Sequence, residues 1–339
     1  MKKSFGVLPS GEKATLYTIY GGGLTACITD YGANLVRLLV PDRSGVLADV
    51  VLGYDDCNGY RTANGAALGA TVGRNANRIA GSSFPLSDMT IRLNPNEGRN
   101  NLHSGPSFFF QRMWTLVSHT ESAVTLALRS PAGDQGFPGN ADIRVTYSLD
   151  SHGGLHILYE AVSDRDTVFN FTNHSYFNLA GHDRLEKAMD QLLTIPGRFF
   201  NPDDAENIPT GELRPVAGTP MDFRSPKPIG QDIAADYEPL KLQGGYDHNW
   251  EVFCNPCAFL SDPESGRQMA VYTDCPGIQF YAGNFLDEIG KDGIHYTKRT
   301  GIALETQFWP DSLHHPDWPQ PITKAGEKYR SETVYRFTR

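Results

Sequence analysis

Ile143-Arg144-Val145-Thr146-Tyr147-Ser148-Leu149-Asp150-Ser151-His152-Gly153-Gly154-Leu155-His156-Ile157-Leu158-Tyr159 alternates apolar and polar side chains on both sides of a turn-forming centre. Ile143, Val145, Tyr147 and Leu149 share one face before the turn, and Leu155, Ile157 and Tyr159 share one after it. That is the period of two of a half-buried strand, and two such runs joined by a turn predict an antiparallel hairpin. The pattern extends back through Val124, Leu126 and Leu128 across a turn-rich 130–140. It recurs near the N-terminus at Leu16 to Tyr20, Leu24 to Thr29 and Leu35 to Val40. Gly21-Gly22-Gly23 lies between the first two of these runs; without a following Gly-Lys-Ser/Thr or a helix signal it predicts a hairpin turn, not a phosphate loop. Long amphipathic helical patterns are missing, so the chain is predicted to be mainly β. No linker-like change of composition and no internal repeat divides residues 1–339, which predicts a single domain.

The formal net charge of -9, with no basic stripe, argues against nucleic acid as a partner. No apolar run is long enough to span a bilayer, which argues against a membrane protein. Pro9, Gly11, Glu12 and Lys13 interrupt any signal-peptide core after Met1-Lys2-Lys3, so a cytoplasmic location is expected. Five cysteines at scattered spacings do not suggest a disulfide framework. Cys254-Asn255-Pro256-Cys257 is a bare pair without a second, and His314-His315 stands in a Pro-rich loop, so no metal site is predicted.

Asn170-Phe171-Thr172-Asn173-His174-Ser175-Tyr176-Phe177 interleaves polar donors with bulky apolar residues. On a strand, Thr172, His174 and Tyr176 share one face and Asn173, Ser175 and Phe177 the other. His174 on such a backbone suits a general acid, though on one histidine alone the favoured reading is a buried ring bonded to a carbonyl. Because this stretch follows the hairpins directly, it is expected in the same sheet system. Gly73-Arg74-Asn75-Ala76-Asn77-Arg78-Ile79 offers planar donors for hydroxyls or anions, or a self-satisfied polar turn. His103 lies in a Gly/Ser/Pro turn, and Asp247 follows Gly244-Gly245-Tyr246. Residues 185–245, broken by repeated prolines, are predicted to form a long surface excursion with one short helix near Ile229 to Tyr237. Glu305, inside the apolar Gly301-Ile302-Ala303-Leu304-Glu305-Thr306-Gln307-Phe308-Trp309, is costly unless paired or functional, and burial would raise its pKa toward that of a general base.

Together these stretches resemble the aldose 1-epimerase (galactose mutarotase) family. The motifs occur in the family's order: GRNANRI at 73–79, NLHSG at 101–105, GFPGN at 136–140, NFTNHSYFNLAG at 170–181, IPTGE at 208–212, GTPMDFR at 218–224, DHNW at 247–250, PGIQFYAGNFL at 276–286 and ALETQFWPD at 303–311. The resemblance implies a large single-domain antiparallel β-sandwich, the galactose mutarotase-like supersandwich, with a sugar in an open cleft. It implies interconversion of the α and β anomers of free aldohexoses such as glucose and galactose, with no cofactor, metal or covalent intermediate, by a monomer or homodimer. By carry-over, Glu305 is the general base, His174 the general acid and His103 a second polarising group at the ring oxygen. Arg74 and Asp247 bind sugar hydroxyls, and Asn75, Tyr176 and Gln279 line the site. The chain departs from the family's pattern beside His103, at Ser104 and in the aromatic 106–110 segment. The alternatives are a hexose-6-phosphate 1-epimerase, a non-catalytic sugar-binding protein on the same fold, and a glycoside hydrolase using Asp247 and Glu305.

Overall fold

The 143–159 hairpin sits near the middle of the largest sheet of the computed structural model, which describes residues 1–62 and 66–339. Strands Ala141–Leu149 and Gly154–Ser163 pair antiparallel, with Ile143 opposite Ala161 and Leu149 opposite Leu155. Every second side chain from Ala141 to Leu149 is buried, while Asp142 and Arg144 face solvent. Asp150 closes the turn, its Oδ1 accepting the amides of His152 and Gly154 at 2.7 and 2.8 Å. Gly153 there takes a φ of +78°, a conformation that suits glycine.

The hairpin belongs to a nine-stranded sheet in the order Thr115–His119, Ala123–Ser130, Ala141–Leu149, Gly154–Ser163, Lys328–Thr338, Gln268–Thr273, Ala258–Ser261, Leu192–Thr194 and Lys227–Pro228. Its central strand, Lys328–Thr338, is thus the last strand in the chain. A six-stranded sheet runs Tyr176–Phe177, Ile302–Gln307, Gly277–Tyr281, Asp247–Glu251, Phe199–Asn201 and Arg214–Pro215. A five-stranded sheet holds the N-terminal strands Lys2–Val7 to Leu47–Asp49 in sequence order. Inward-facing residues of all three sheets meet in one core, including Ile28 and Leu38, Val145 and Tyr335, and Ile278 and Leu304. Tyr335 Oη donates to the Leu304 carbonyl at 2.8 Å, and the hydroxyls of Thr306 and Thr333 bond to each other, linking the two largest sheets.

Two expectations need correction. His174 is not in the hairpin sheet: Thr172–His174 pairs with Ala70–Val72, and Ser175 separates it from Tyr176–Phe177, which joins the six-stranded sheet. The 185–245 segment is more than a surface excursion, because its short strands Leu192–Thr194 and Phe199–Asn201 are inserted into both large sheets. Its α-helix is Glu238–Gln243, begun with a proline in the first turn and ended by Gly244 at φ +65°; only a 3-10 turn, Ile229–Gln231, lies where the helix was expected. Prolines suppress the periodic signal of such short strands without preventing edge pairing.

On the outer face of the hairpin, His156 lies between Asp150 Oδ2 at 3.0 Å and Glu332 Oε1 at 2.9 Å. Partial burial works against its charge, but the two carboxylates prevail and its pKa is raised. Asp150 and Glu332 are lowered by the same contacts against partial desolvation. A raised histidine pKa contributes stability below the unfolded value, about 6.5, that is lost as pH rises through the folded value. The lowered carboxylates set the acid limit, where their contribution fades as pH falls. His156→Gln is therefore expected to lose about 1 kcal/mol at pH 6 and little at pH 9, measured by urea unfolding at both pH values. An equal loss at both would remove the charge from the explanation.

Candidate active site

Strand Ile302–Gln307 presents two faces. Leu304 packs into the core, and Glu305, one residue on, projects to the other side. There it meets a cleft of about 350 Å³ lined by Asn77, Arg78, Glu97, His103, His174, Tyr176, Asp247, Tyr281 and Glu305, among others. Alternation along 172–177 sends His174 and Tyr176 into this cleft, whereas Asn173 turns inward to bond Tyr147 Oη at 3.1 Å and Gly69 O at 3.2 Å. Gly69 returns its amide to the His174 carbonyl at 3.0 Å. Gly69 has a φ of +67°, and a Cβ there would lie 2.0 Å from the Leu35 carbonyl oxygen, so only glycine lets the backbone beneath His174 approach so closely.

His174 Nε2 lies 3.4 Å from Glu305 Oε1, with the two side chains 8% and 2% exposed. The opposite atoms, His174 Nδ1 and Glu305 Oε2, are buried without a hydrogen-bond partner. Burial lowers the His174 pKa to about 4. Burial first, then the charge of Asp247, raises that of Glu305 well above the carboxylate range, with Arg78 opposing. The two shifts share their largest cause: each group loses water, so each favours its neutral form.

His103 packs edge-on against His174 with centroids 5.5 Å apart. Its Nδ1 accepts the Asn77 amide at 3.1 Å, which leaves the ring proton on Nε2 when the ring is neutral. Burial, His174 and Arg78 lower its pKa well below the usual value. Ligand atoms of His103, His174 and Glu305 lie within 4.8 Å of one another, a metal-like spacing, yet this tautomer offers an N–H donor where a metal needs a lone pair.

Asp247 also lines the cleft, its Oδ1 accepting Gln279 Nε2 at 2.8 Å. Gln279 is directly opposite Glu305 across the strand pair. Its role in the geometry is to steady Asp247, and it does not itself line the cleft among the described residues.

Arg74 and Asn75 are elsewhere. Arg74 is completely buried, with its guanidinium bonded to the Ser130 hydroxyl, to Thr167 and to the carbonyls of Ser130, Pro138 and Gly139. No donor is left for a sugar, and the arginine facing the cleft is Arg78. Asn75 ties three segments together: its amide donates to Ser104 Oγ at 2.8 Å, its Oδ1 accepts Asn170 Nδ2 at 3.3 Å, and its Nδ2 donates to the Ala76 carbonyl. Ser104, the departure noted in the sequence, is therefore a structural partner of Asn75. The aromatic Phe108 and Phe110 stack on each other at 4.6 Å and do not line the cleft among the described residues.

Sequence reasoning thus missed Asn77, Arg78 and Glu97. The first two stand in the same quoted motif, in positions that composition could not separate from Arg74 and Asn75. Arg78 donates from Nε and Nη2 to the two oxygens of Glu97 at 2.6 and 2.9 Å.

A half-open polar cleft on an antiparallel sandwich, floored by a buried acid–base pair, defines a proton-transfer enzyme acting on a small polar molecule. Comparison with known proteins narrows this. Residues 15–336 match the family model described as Aldose 1-epimerase. An Escherichia coli (strain K12) protein named aldose 1-epimerase is 38% identical, covering 97% of this chain and 96% of that protein. The Bos taurus galactose mutarotase is 39% identical, covering 98% and 97%. Among solved structures, an aldose epimerase homologue from C. elegans superposes with a TM-score of 0.88 at 32% identity, covering 95% of this chain and 98% of that one. A galactose 1-epimerase from Lactobacillus acidophilus NCFM gives 0.86 at 28%, covering 100% and 98%. The chain belongs to the aldose 1-epimerase family, a family of isomerases.

The two arginines should separate experimentally. Arg74→Met is expected to cost about 3–5 kcal/mol of stability by stranding buried carbonyls, seen as a lowered Tm. Arg78→Met should lower Tm by clearly less, because the Glu97 carboxylate it leaves behind is 34% exposed, and should raise KM for the sugar. Equal Tm losses would put both arginines in the framework.

Proposed function

We propose that the protein interconverts the α and β anomers of free aldohexoses such as glucose and galactose, with Glu305 as base and His174 as acid. The observation that carries this reading is the 3.4 Å contact between two buried groups with opposite pKa shifts at the cleft floor. The pair works with a single proton. At rest, burial favours neutral His174 and protonated Glu305; the tautomer with charged His174 and ionised Glu305 has the same proton count and begins the reaction.

Glu305 takes the proton from O1 and the C1=O1 bond forms. The C1–O5 bond breaks, and its electron pair takes a proton from His174 at O5. The pair is then again protonated Glu305 and neutral His174. Rotation about C1–C2 turns the other carbonyl face to O5, and reversal of the transfers closes the opposite anomer. His103 Nε2–H polarises the ring oxygen, while Asp247, Asn77 and Arg78 bind hydroxyls and Tyr176 forms a wall. Each positioned group contributes roughly 10²–10⁴-fold.

The same cleft weighs against the alternatives. A hexose 6-phosphate needs a cation free for the phosphate, but Arg78 is already engaged by Glu97. A hydrolase using Asp247 and Glu305 leaves the two neutral histidines without a task, and a pure binding protein has no need for a buried acid–base pair. The core shared from Tyr17 to Phe337 supports one domain over 1–339. The five free cysteines suit a cytoplasmic setting. No described helix is long and apolar enough to cross a membrane.

Glu305→Gln is expected to retain sugar binding and lose about 10²–10⁴-fold in kcat, followed by polarimetry of fresh α-D-glucose and α-D-galactose. Wild-type turnover in this variant would reject the assigned base. In the unmodified protein, kcat/KM should be flat through neutrality, since the one-proton pair persists from the lowered His174 pKa, about 4, up to the raised value of Glu305. Activity should fall below that range as a second proton is added and above it as the only proton leaves. A fall centred at the ordinary histidine pKa, about 6.5, would contradict the shared-proton pair.

A further inference from the structure

The charge balance of the cleft is lopsided. Arg78 is its lining cation among the described residues, and its Nε/Nη2 edge is held by Glu97, which balances its charge and leaves Nη1 for hydroxyls. Asp247 and Glu305 line the cleft and, among the described residues, form no ion pair with a lysine or arginine; Arg78 acts on both only through its charge. Asp247 Oδ1 accepts only a neutral amide, from Gln279. Glu305 Oε2 is buried without a partner, in a residue 2% exposed. The other titratable groups lining the cleft are His103 and His174, which burial disfavours as cations, Tyr176 and Tyr281, and two more acids, Asp287 and Glu288; Asp203 adds a further carboxyl group near Asp247. Burial first, then the charge of Asp247, raises the pKa values of Glu305 and Asp203 although the charge of Arg78 opposes the shift.

We infer that the cleft takes protonated 2-amino-2-deoxyaldoses of gluco or galacto configuration as substrates, and binds them more tightly than the neutral aldoses. This rests on the epimerase reading, in which O1 lies against Glu305. An equatorial nitrogen on C2 is gauche to O1 in both anomers, which brings the ammonium within reach of the carboxyl group that receives the O1 proton. A charge-assisted hydrogen bond then replaces a neutral one. The ammonium also holds Glu305 in its ionised form and, by electron withdrawal, makes O1–H more acidic. The chemistry balances as before: the O1 proton goes to Glu305, O5 receives the proton of His174 as C1–O5 breaks, and the nitrogen keeps all its protons. Anionic sugars meet repulsion from the same carboxylates.

The test follows anomeric exchange by NMR magnetisation transfer for glucose, glucosamine, N-acetylglucosamine and glucose 6-phosphate with the full chain at pH 6 and pH 9. Calorimetric binding is measured alongside. The amine titrates near the α-amino range, about 7.7–8.0. At pH 6, KM and Kd for glucosamine should be about tenfold below those for glucose. The gain should vanish at pH 9 and be missing for the N-acetyl sugar, and in Asp247→Asn the glucosamine-to-glucose ratio should move toward unity. Accelerated glucose exchange with no glucosamine gain at pH 6 overturns the inference and leaves the epimerase reading intact. No glucose exchange, with tighter glucosamine binding at pH 6 than at pH 9, overturns the epimerase reading while the cation preference of the cleft stands.

Discussion

The 3.4 Å approach of a carboxyl group and an imidazole, both nearly sealed from water, is the constraint the rest of the molecule has to sustain. Buried ionisable groups are expensive unless each has a partner or stays neutral. Here each is a partner to the other, and two rigid strands hold them. Glu305 rides on Ile302–Gln307, hydrogen-bonded on both sides by Tyr176–Phe177 and Gly277–Tyr281. His174 rides on a short strand paired to Ala70–Val72 and carried by Gly69. Behind the first strand, Leu304 gives its side chain to the core and its carbonyl to Tyr335. The apolar core and the buried carboxyl group of Glu305 thus lie on opposite faces of one strand.

That dual character explains what the sequence revealed. Period-two alternation made the hairpin around Asp150 legible, and Glu305 stood out because a carboxylate in an apolar strand has few structural uses. His174 was marked by its interleaved neighbours. Arg74 and Arg78 were not separable in the same way: four residues apart in a polar motif, they have identical chemistry. What separates them is tertiary, since Ser130, Pro138, Gly139 and Thr167 close around one while Glu97 meets the other. Asn75 and Asn77 divide along the same line, and the short strands within 185–245 derive their pairing from neighbours distant in the chain.

The electrostatics of the cleft follow from where water is excluded. The histidines are neutral because burial removes the solvation of their cations, and the carboxyl groups resist ionisation for the same reason. A neutral polar ligand with many hydroxyls suits such a site, since it supplies the missing hydrogen bonds without bringing an anion near Asp247. Arg78, locked to Glu97, acts as a fixed directional donor whose charge is already balanced.

The place of the last strand has a consequence for how the chain reaches this state. Lys328–Thr338 lies between Gly154–Ser163 and Gln268–Thr273, so two large parts of the nine-stranded sheet share no ladder until it inserts. It also carries Tyr335, whose hydroxyl reaches the strand of Glu305. The ladder to Gly154–Ser163 joins residues about half the chain length apart, a topology associated with slow, highly non-local folding. During synthesis the nascent protein has exposed sheet edges until residues 328–338 emerge, and the strand of Glu305 gains the Tyr335 anchor only at that moment.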